Sequence, residues 1–344
     1  MQALLKTGPE PGLRLMDVER PKAGPSDVLI HVAAASICGT DRHIYDWDEW
    51  ASSRVRPPRI LGHEFCGHVA ALGAEVRGLA EGDFVSAEGH VTCGTCYQCR
   101  TGAAHICQRV QIVGIDRDGA FADYVMVPAT NVWRVDPRIP TDWASVFDPF
   151  GNAVHTVYSV GVRNSRVALF GCGSIGLFSI AVARAVGAEA VYAVDVIDYR
   201  LELAERLGAT ATCNARTTDP VSWLRDLTMD RGGVDVVLEI SGNPKALNQG
   251  LQALRDGGEV AILGIPSSVV PIDIARDVVF KGATLVGVVG RRIWATWYQM
   301  QSLLVDGSVD LEPVLTHRIR LGAFEEAFTL LRDGLCGKIV LIPG

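Results

Sequence analysis

The chain is expected to be an α/β protein in two parts: a β-rich domain and a parallel sheet covered by helices. Three observations predict this. Over roughly the first 150 residues, short apolar runs such as 28–33 are separated by Gly- and Pro-bearing turns, the pattern of strands. From Arg166 to Val289 strand-like runs alternate with helical stretches, which implies parallel strands joined by crossovers and buried on both faces. The end, 337–342, returns to strand character, so the tail is expected to rejoin the first domain.

A chain of 344 residues can bury two cores. The expected division is 1–150 for the first domain, completed by 290–344, with 151–289 as the inserted α/β unit. Six strands are expected in that unit, at 166–170, 190–195, 209–213, 234–240, 259–263 and 284–289. The clearest helices between them are 177–186, 199–207 and 244–254, and a further helix-like stretch covers 293–304.

The formal charge of −7 leaves no basic surplus to neutralise phosphates, so no nucleic-acid partner is expected. No stretch approaches the ~20 apolar residues that cross a bilayer. Met1–Lys6 lacks a basic segment followed by an apolar run, so no signal peptide and a cytoplasmic location are expected. Nine cysteines, an odd number with four crowded into one loop, point to metal binding rather than disulfides.

Phe170 ends a predicted strand, and Gly171-Cys172-Gly173-Ser174-Ile175-Gly176 then opens a helix, which is the context a dinucleotide turn needs. The first Gly permits the tight turn, the second lets the backbone approach a pyrophosphate, and the third lets helix and strand pack closely. The helix start then offers free N–H groups to the phosphates. Asp195, at the end of the second strand, is placed either to accept from the adenosine ribose hydroxyls or to cap the next helix. Val196 and Ile197 follow it, so no adjacent cation awaits a 2′-phosphate and NAD is expected over NADP. Arg200, one turn on, lies near the adenosine or is a solvated surface arginine. Leu263-Gly264-Ile265 and Val288-Val289 follow the last two strands, where they either line the nicotinamide pocket or pack as ordinary strand ends.

Cys93, Cys96, Cys99 and Cys107 place four thiols in one Gly-containing loop. Four sulfur ligands suit a closed, structural tetrahedral zinc. A second set is scattered: Cys38 in Ile37-Cys38-Gly39-Thr40-Asp41, and His63-Glu64 in Gly62-His63-Glu64-Phe65. One thiolate, one imidazole and one carboxylate could hold zinc with an open position, as a Lewis-acid site requires. Each also has an ordinary reading, Cys38 as a small buried residue and Glu64 as a surface charge.

Together these segments resemble the medium-chain dehydrogenase/reductase family, the zinc alcohol and polyol dehydrogenases. Residues 62–69, Gly-His-Glu-Phe-Cys-Gly-His-Val, are similar to its catalytic-zinc segment, and the cysteine loop is similar to its structural-zinc lobe. The likeness runs over essentially the whole chain. It implies a GroES-like β domain and a six-stranded Rossmann domain with the active-site cleft between them. It also implies NAD, one catalytic and one structural zinc per subunit, a small-molecule alcohol substrate and a homotetramer. Residues 147–156 and 290–298 resemble the branch that oxidises L-threonine more than the sorbitol dehydrogenases. The resemblance further implies a proton relay from Thr40 through the cofactor ribose to His43, since a hydroxyl both donates and accepts and an imidazole titrates near neutrality. Many polyol members have Glu where Asp148 stands. The shorter side chain places Asp148 in the relay or beside the metal rather than on it, and His90 is a candidate for tuning the site. Rival expectations are a polyol or 2,3-butanediol dehydrogenase, a redox-silent relative, and a zinc-finger-like binding module.

Overall fold

The computed structural model describes residues 1–266 and 268–344. A six-stranded parallel sheet has the spatial order Ala211–Asn214, Ala190–Asp195, Arg166–Phe170, Val234–Glu239, Leu254–Ile262 and Thr284–Gly287. The direction of winding reverses between Arg166–Phe170 and Val234–Glu239, so the sheet opens a crevice beyond their carboxyl ends. Every residue of Ala190–Asp195 and of Val234–Glu239 is buried, as strands covered on both faces must be. Element ends shift by a few residues from expectation. The fifth strand begins at Leu254 because it pairs there with Val234 before a register shift, then resumes at Val236–Glu259. The sixth ends at Gly287, two residues early.

The first domain is built on strand Asp27–Ser36, which pairs antiparallel with Glu64–Leu72, Tyr124–Pro128 and the tail strand Ile339–Ile342. Strand His317–Arg320 lies parallel to the outer side of that tail strand. The domain also holds two short helices, Gly39–Asp46 and Glu49–Arg54, which no long apolar stripe announces. They are set by their starts, where Asp41 bonds back to the Cys38 N–H and Asp48 accepts from the Ala51 N–H.

Helix Phe147–Tyr158 contains the expected 150/151 division and is buried along most of its length. Phe150 packs edge-on against Phe178 of helix Ser174–Ala185, with ring centroids 5.7 Å apart. Phe147 meets Trp297 of helix Ala295–Val305 in the same way. One core therefore runs from the parallel sheet through this helix, while a second fills the β domain around Ile30, Phe65 and Phe121. Among the described residues no helix is long and apolar enough to cross a membrane.

Candidate active site and metal centres

Strand pairing brings the scattered trio together. Ser36, at the end of one strand, is paired with Glu64, at the start of its antiparallel neighbour. Cys38 follows the first strand and His63 precedes the second, so both project at the same edge. Ligand atoms of Cys38, His63 and Glu64 lie within 4.8 Å of one another, and the convergent set does not include Asp148. His63 and Glu64 are buried and Cys38 half-buried. Among the described residues, His63 Nδ1, Glu64 Oε1 and Asp41 Oδ1 have no hydrogen-bond partner. Buried polar atoms left without partners are costly, and a thiolate–imidazole–carboxylate set around them fits zinc.

Sequence reasoning missed Asp41. It is wholly buried, accepts from the Cys38 N–H at 2.9 Å through Oδ2, and sets Oδ1 3.7 Å from His63 Nδ1. Burial pushes its carboxyl up to about 6, against the pull of His63. The signal was its position three residues into a helix capped by Cys38, where a carboxylate reaches back to the cap. Lys338, also missed, pairs with Glu64 Oε2 at 2.5 Å. Thr40 Oγ1 lies 3.8 Å from Cys38 Sγ. His43 stands one turn later on the same helix, exposed, with Nδ1 2.5 Å from Asp48 Oδ2.

Asp148 belongs to a neighbouring buried network. Its Oδ2 lies 2.7 Å from Arg291 Nη2, and a Cβ built on Gly89 would sit 3.4 Å both from that oxygen and from His63 O. Arg291 is fully buried and also grips Glu88 with Nε and Nη2. Glu88 accepts in addition from Trp297 Nε1 at 2.9 Å and lies 2.8 Å from His90 Nδ1. Burial opposes ionisation of Glu88, yet Arg291 and His90 hold it far below the carboxylate range. Glu88 escaped the sequence reading because Arg291 and Trp297, which hold it, lie about two hundred residues away. His90 is thus fixed between Glu88 and Arg291, 3.2 Å from Nη2 of the latter.

The four-cysteine loop is compact. Sulfur separations are 3.5 Å for Cys96–Cys99 and Cys93–Cys107, 3.8 Å for Cys96–Cys107 and 4.0 Å for Cys93–Cys99. Four sulfurs each about 2.3 Å from one zinc would stand about 3.8 Å apart, so the loop fits the ion. Hydrogen bonds from Arg109 and from backbone N–H groups bring the Cys93 thiol down to about 4. Burial and neighbouring thiols push Cys99 up to about 11, a proton that zinc would displace.

The glycine turn is shaped for a dinucleotide. Gly171 has φ +97°, and a Cβ there would strike the Ser241 backbone at 2.7 Å. A Cβ on Gly176 would lie 1.9 Å from Gly171 O, whereas nothing lies within 4 Å at Gly173. Contact thus demands the outer glycines and leaves the middle one open to a ligand. Helix Ser174–Ala185 starts there, through Ser174 and Ile175, without a side-chain cap. Asp195 accepts from the N–H groups of Cys172 at 2.6 Å, Val196 at 2.7 Å and Ile197 at 3.0 Å, tying this turn to the next helix. Arg200 Nε is buried and has no hydrogen-bond partner among the described residues.

The fourth strand's end, which the sequence reading did not nominate for the site, also lines this edge: Glu239 accepts from the Ser241 and Gly242 N–H groups. Leu263 and Gly264 donate to Glu239 O, placing them there too. Ile265 and Val289 are exposed and Val288 is buried. A Glu closing an apolar strand just before Ser-Gly was the available signal.

Comparison with known proteins agrees with this anatomy. Residues 24–137 match the alcohol dehydrogenase GroES-like domain family, and residues 174–306 match the zinc-binding dehydrogenase family. The chain is 48% identical over 344 residues to the L-threonine 3-dehydrogenase of Caldanaerobacter subterraneus subsp. tengcongensis, covering 100% of this chain and 99% of that one. A zinc-binding dehydrogenase structure from Sinorhizobium meliloti bound to NADP superposes with TM-score 0.92 at 30% identity, over 99% of each chain. The 2R,3R-butanediol dehydrogenase of Bacillus subtilis gives TM-score 0.90 at 28% identity, over 100% of this chain and 99% of that one. The chain belongs to the zinc-containing medium-chain dehydrogenase/reductase family, the alcohol dehydrogenases.

Proposed function

We propose that this chain oxidises the C3 hydroxyl of L-threonine with NAD, giving L-2-amino-3-oxobutanoate, NADH and a proton. The observation that carries the reading is the convergence of Cys38, His63 and Glu64, with unanswered polar atoms, in a chain 48% identical to an L-threonine 3-dehydrogenase.

Cys38, His63 and Glu64 would hold a zinc that, when bound, would supply Lewis acidity to the alcohol, while the nicotinamide would supply the hydride acceptor. The chain's own residues do the rest. Asp41 anchors the Cys38 backbone through Oδ2 and turns its charge toward His63, 3.7 Å away, which biases the imidazole toward one orientation. Thr40, beside Cys38, would pass the proton through the cofactor ribose to His43, which faces solvent. Asp148, paired with Arg291 and near the His63 backbone, serves as a relay or neighbouring acid. His90 tunes the site through Glu88 and Arg291. Gly171, Gly173 and Gly176 seat the pyrophosphate, and Asp195 receives the ribose and repels a 2′-phosphate, favouring NAD. Cys93, Cys96, Cys99 and Cys107 hold a second, structural zinc.

The use of Cys38, Cys93, Cys96, Cys99 and Cys107 as metal ligands rather than in disulfides supports a reducing, cytoplasmic setting. Association with a second copy, one step toward the homotetramer that the family resemblance implies, is supported by the edge strand Thr284–Gly287, near exposed Val279 and Phe280. The test of function is a substrate panel with NAD. L-threonine should exceed sorbitol and 2,3-butanediol by at least ~10²-fold in kcat/KM, the margin of a site that pairs buried polar groups with its substrate. A second reading, a butanediol or polyol dehydrogenase, draws support from the Bacillus subtilis structure, and equal rates would favour it.

A further inference from the structure

We infer that Lys338, brought by the carboxy-terminal tail, is a positioning residue of the open zinc site: it holds Glu64 and so limits that carboxylate's closure on the metal. The inference rests on the reading of Cys38, His63 and Glu64 as a zinc site. Lys338 and Glu64 are 2% and 1% exposed. Lys338 Nζ lies 2.5 Å from Glu64 Oε2 and donates to Ile37 O at 2.7 Å, so one ammonium grips Glu64 and the backbone just before Cys38. Ser36 Oγ donates to the same Oε2, which leaves Oε1 without a partner. The contact is made by topology: Val340 pairs with Ser36, which sets Lys338 behind the site across 301 positions of sequence.

Charge bookkeeping points the same way. The Cys38 thiolate, Asp41 and Glu64 carry three negative charges in a largely buried space, and a divalent cation together with one ammonium cancels them. Buried charge without compensation is costly. Metal and ammonium therefore share Glu64. While Lys338 holds one oxygen, Glu64 is restrained and a coordination position stays open for substrate. Without the ammonium, Glu64 belongs to the metal alone and the site acquires one more negative charge facing the cation.

The experiment follows zinc release from the two-zinc holoenzyme to a chelator, reading the fast phase. Lys338→Met should slow that phase by about tenfold or more, the effect of one unit charge a few ångströms from a divalent ion in a screened interior. Lys338→Gln, which keeps a hydrogen-bonding group near Ile37 O, carries the same expectation if the Met variant does not fold. In a Glu64→Gln background, where the pair is already broken, neither substitution should change the rate. Cobalt in the open site gives a second readout: its visible spectrum should shift on Lys338→Met in the Glu64 protein and stay put in the Gln background. Release at the parent rate or faster, or equal slowing in both backgrounds, overturns the assignment. A parent protein that binds no second, labile zinc instead overturns the reading of the trio.

Discussion

The two metal constellations are assembled in opposite ways. The four thiols come from residues 93–107, and their partners are one another and local N–H groups: Cys93 N to Cys107 Sγ, Cys96 N to Cys93 Sγ and Arg109 N to Cys107 Sγ. The trio comes from the ends of two paired strands and leans on Asp41 and Lys338, yet keeps buried atoms unanswered. A local loop closes its own shell and has nothing left to offer a substrate. A site made by long-range pairing is held from behind and left open in front.

The sharpest way to break this contrast is metal removal. Brief chelation should strip one zinc per chain, the open one, and abolish activity while circular dichroism changes little. Lewis-acid stabilisation of several kcal/mol corresponds to about a thousandfold or more in rate. Activity that survives loss of all metal would end the zinc mechanism.

The converse experiment is Cys96→Ser. Loss of a structural ligand belongs with the large destabilisations, about 4 kcal/mol or more. For domains of this size that lowers the melting temperature by roughly 10 °C. The open site should keep its zinc in the protein that stays folded, measured by metal analysis after gel filtration. A variant that melts like the parent would show the loop to be no stabilising element.

What the sequence disclosed follows the same division. Cysteine spacing specified the closed loop because its contacts span few residues, and the glycine turn was legible for the same reason. The alternation after Arg166 disclosed the fold class, since parallel strands buried on both faces are largely apolar. Cys38, His63 and Glu64 could be singled out, but the pairing of Ser36 with Glu64 that joins them is not a local property. Asp41, Glu88, Arg291 and Lys338 stayed silent as charged residues whose burial exists only after the chain has folded. The first-domain helices escaped because, at eight and six residues, they are too short to show a period.

Asp41→Asn sharpens the contrast at the open site. The variant keeps the size of the side chain and can still accept from the Cys38 N–H, but it withdraws the charge facing His63. Groups that orient a ligating histidine are typically worth about 10–100-fold in metal affinity or activity. The measurement is kcat/KM beside the rate of the fast zinc phase, and the slow phase should not move. Unchanged kinetics would mean that His63 is oriented by packing alone.

The smallest effect is expected at the closed site, from Arg109. Zinc with four thiolates carries two net negative charges, and the Arg109 guanidinium lies 3.3 Å from Cys93 Sγ and 2.6 Å from Thr95 Oγ1. Arg109 is exposed, so water and salt already screen most of that attraction. Exposed ion pairs are worth little, which translates to about a two- to fivefold faster slow-phase zinc release in Arg109→Gln. The backbone N–H of Arg109 still donates to Cys107 Sγ in that variant, so the loop keeps its geometry and only the charge is tested. The difference should fade as salt rises toward about 1 M, where the screening length falls to about 3 Å. Fast-phase release from the open site serves as the internal control. An acceleration that persists in high salt, or one shared by both phases, would mean that Arg109 acts through the fold and that the closed site is less self-contained than its sulfur geometry implies.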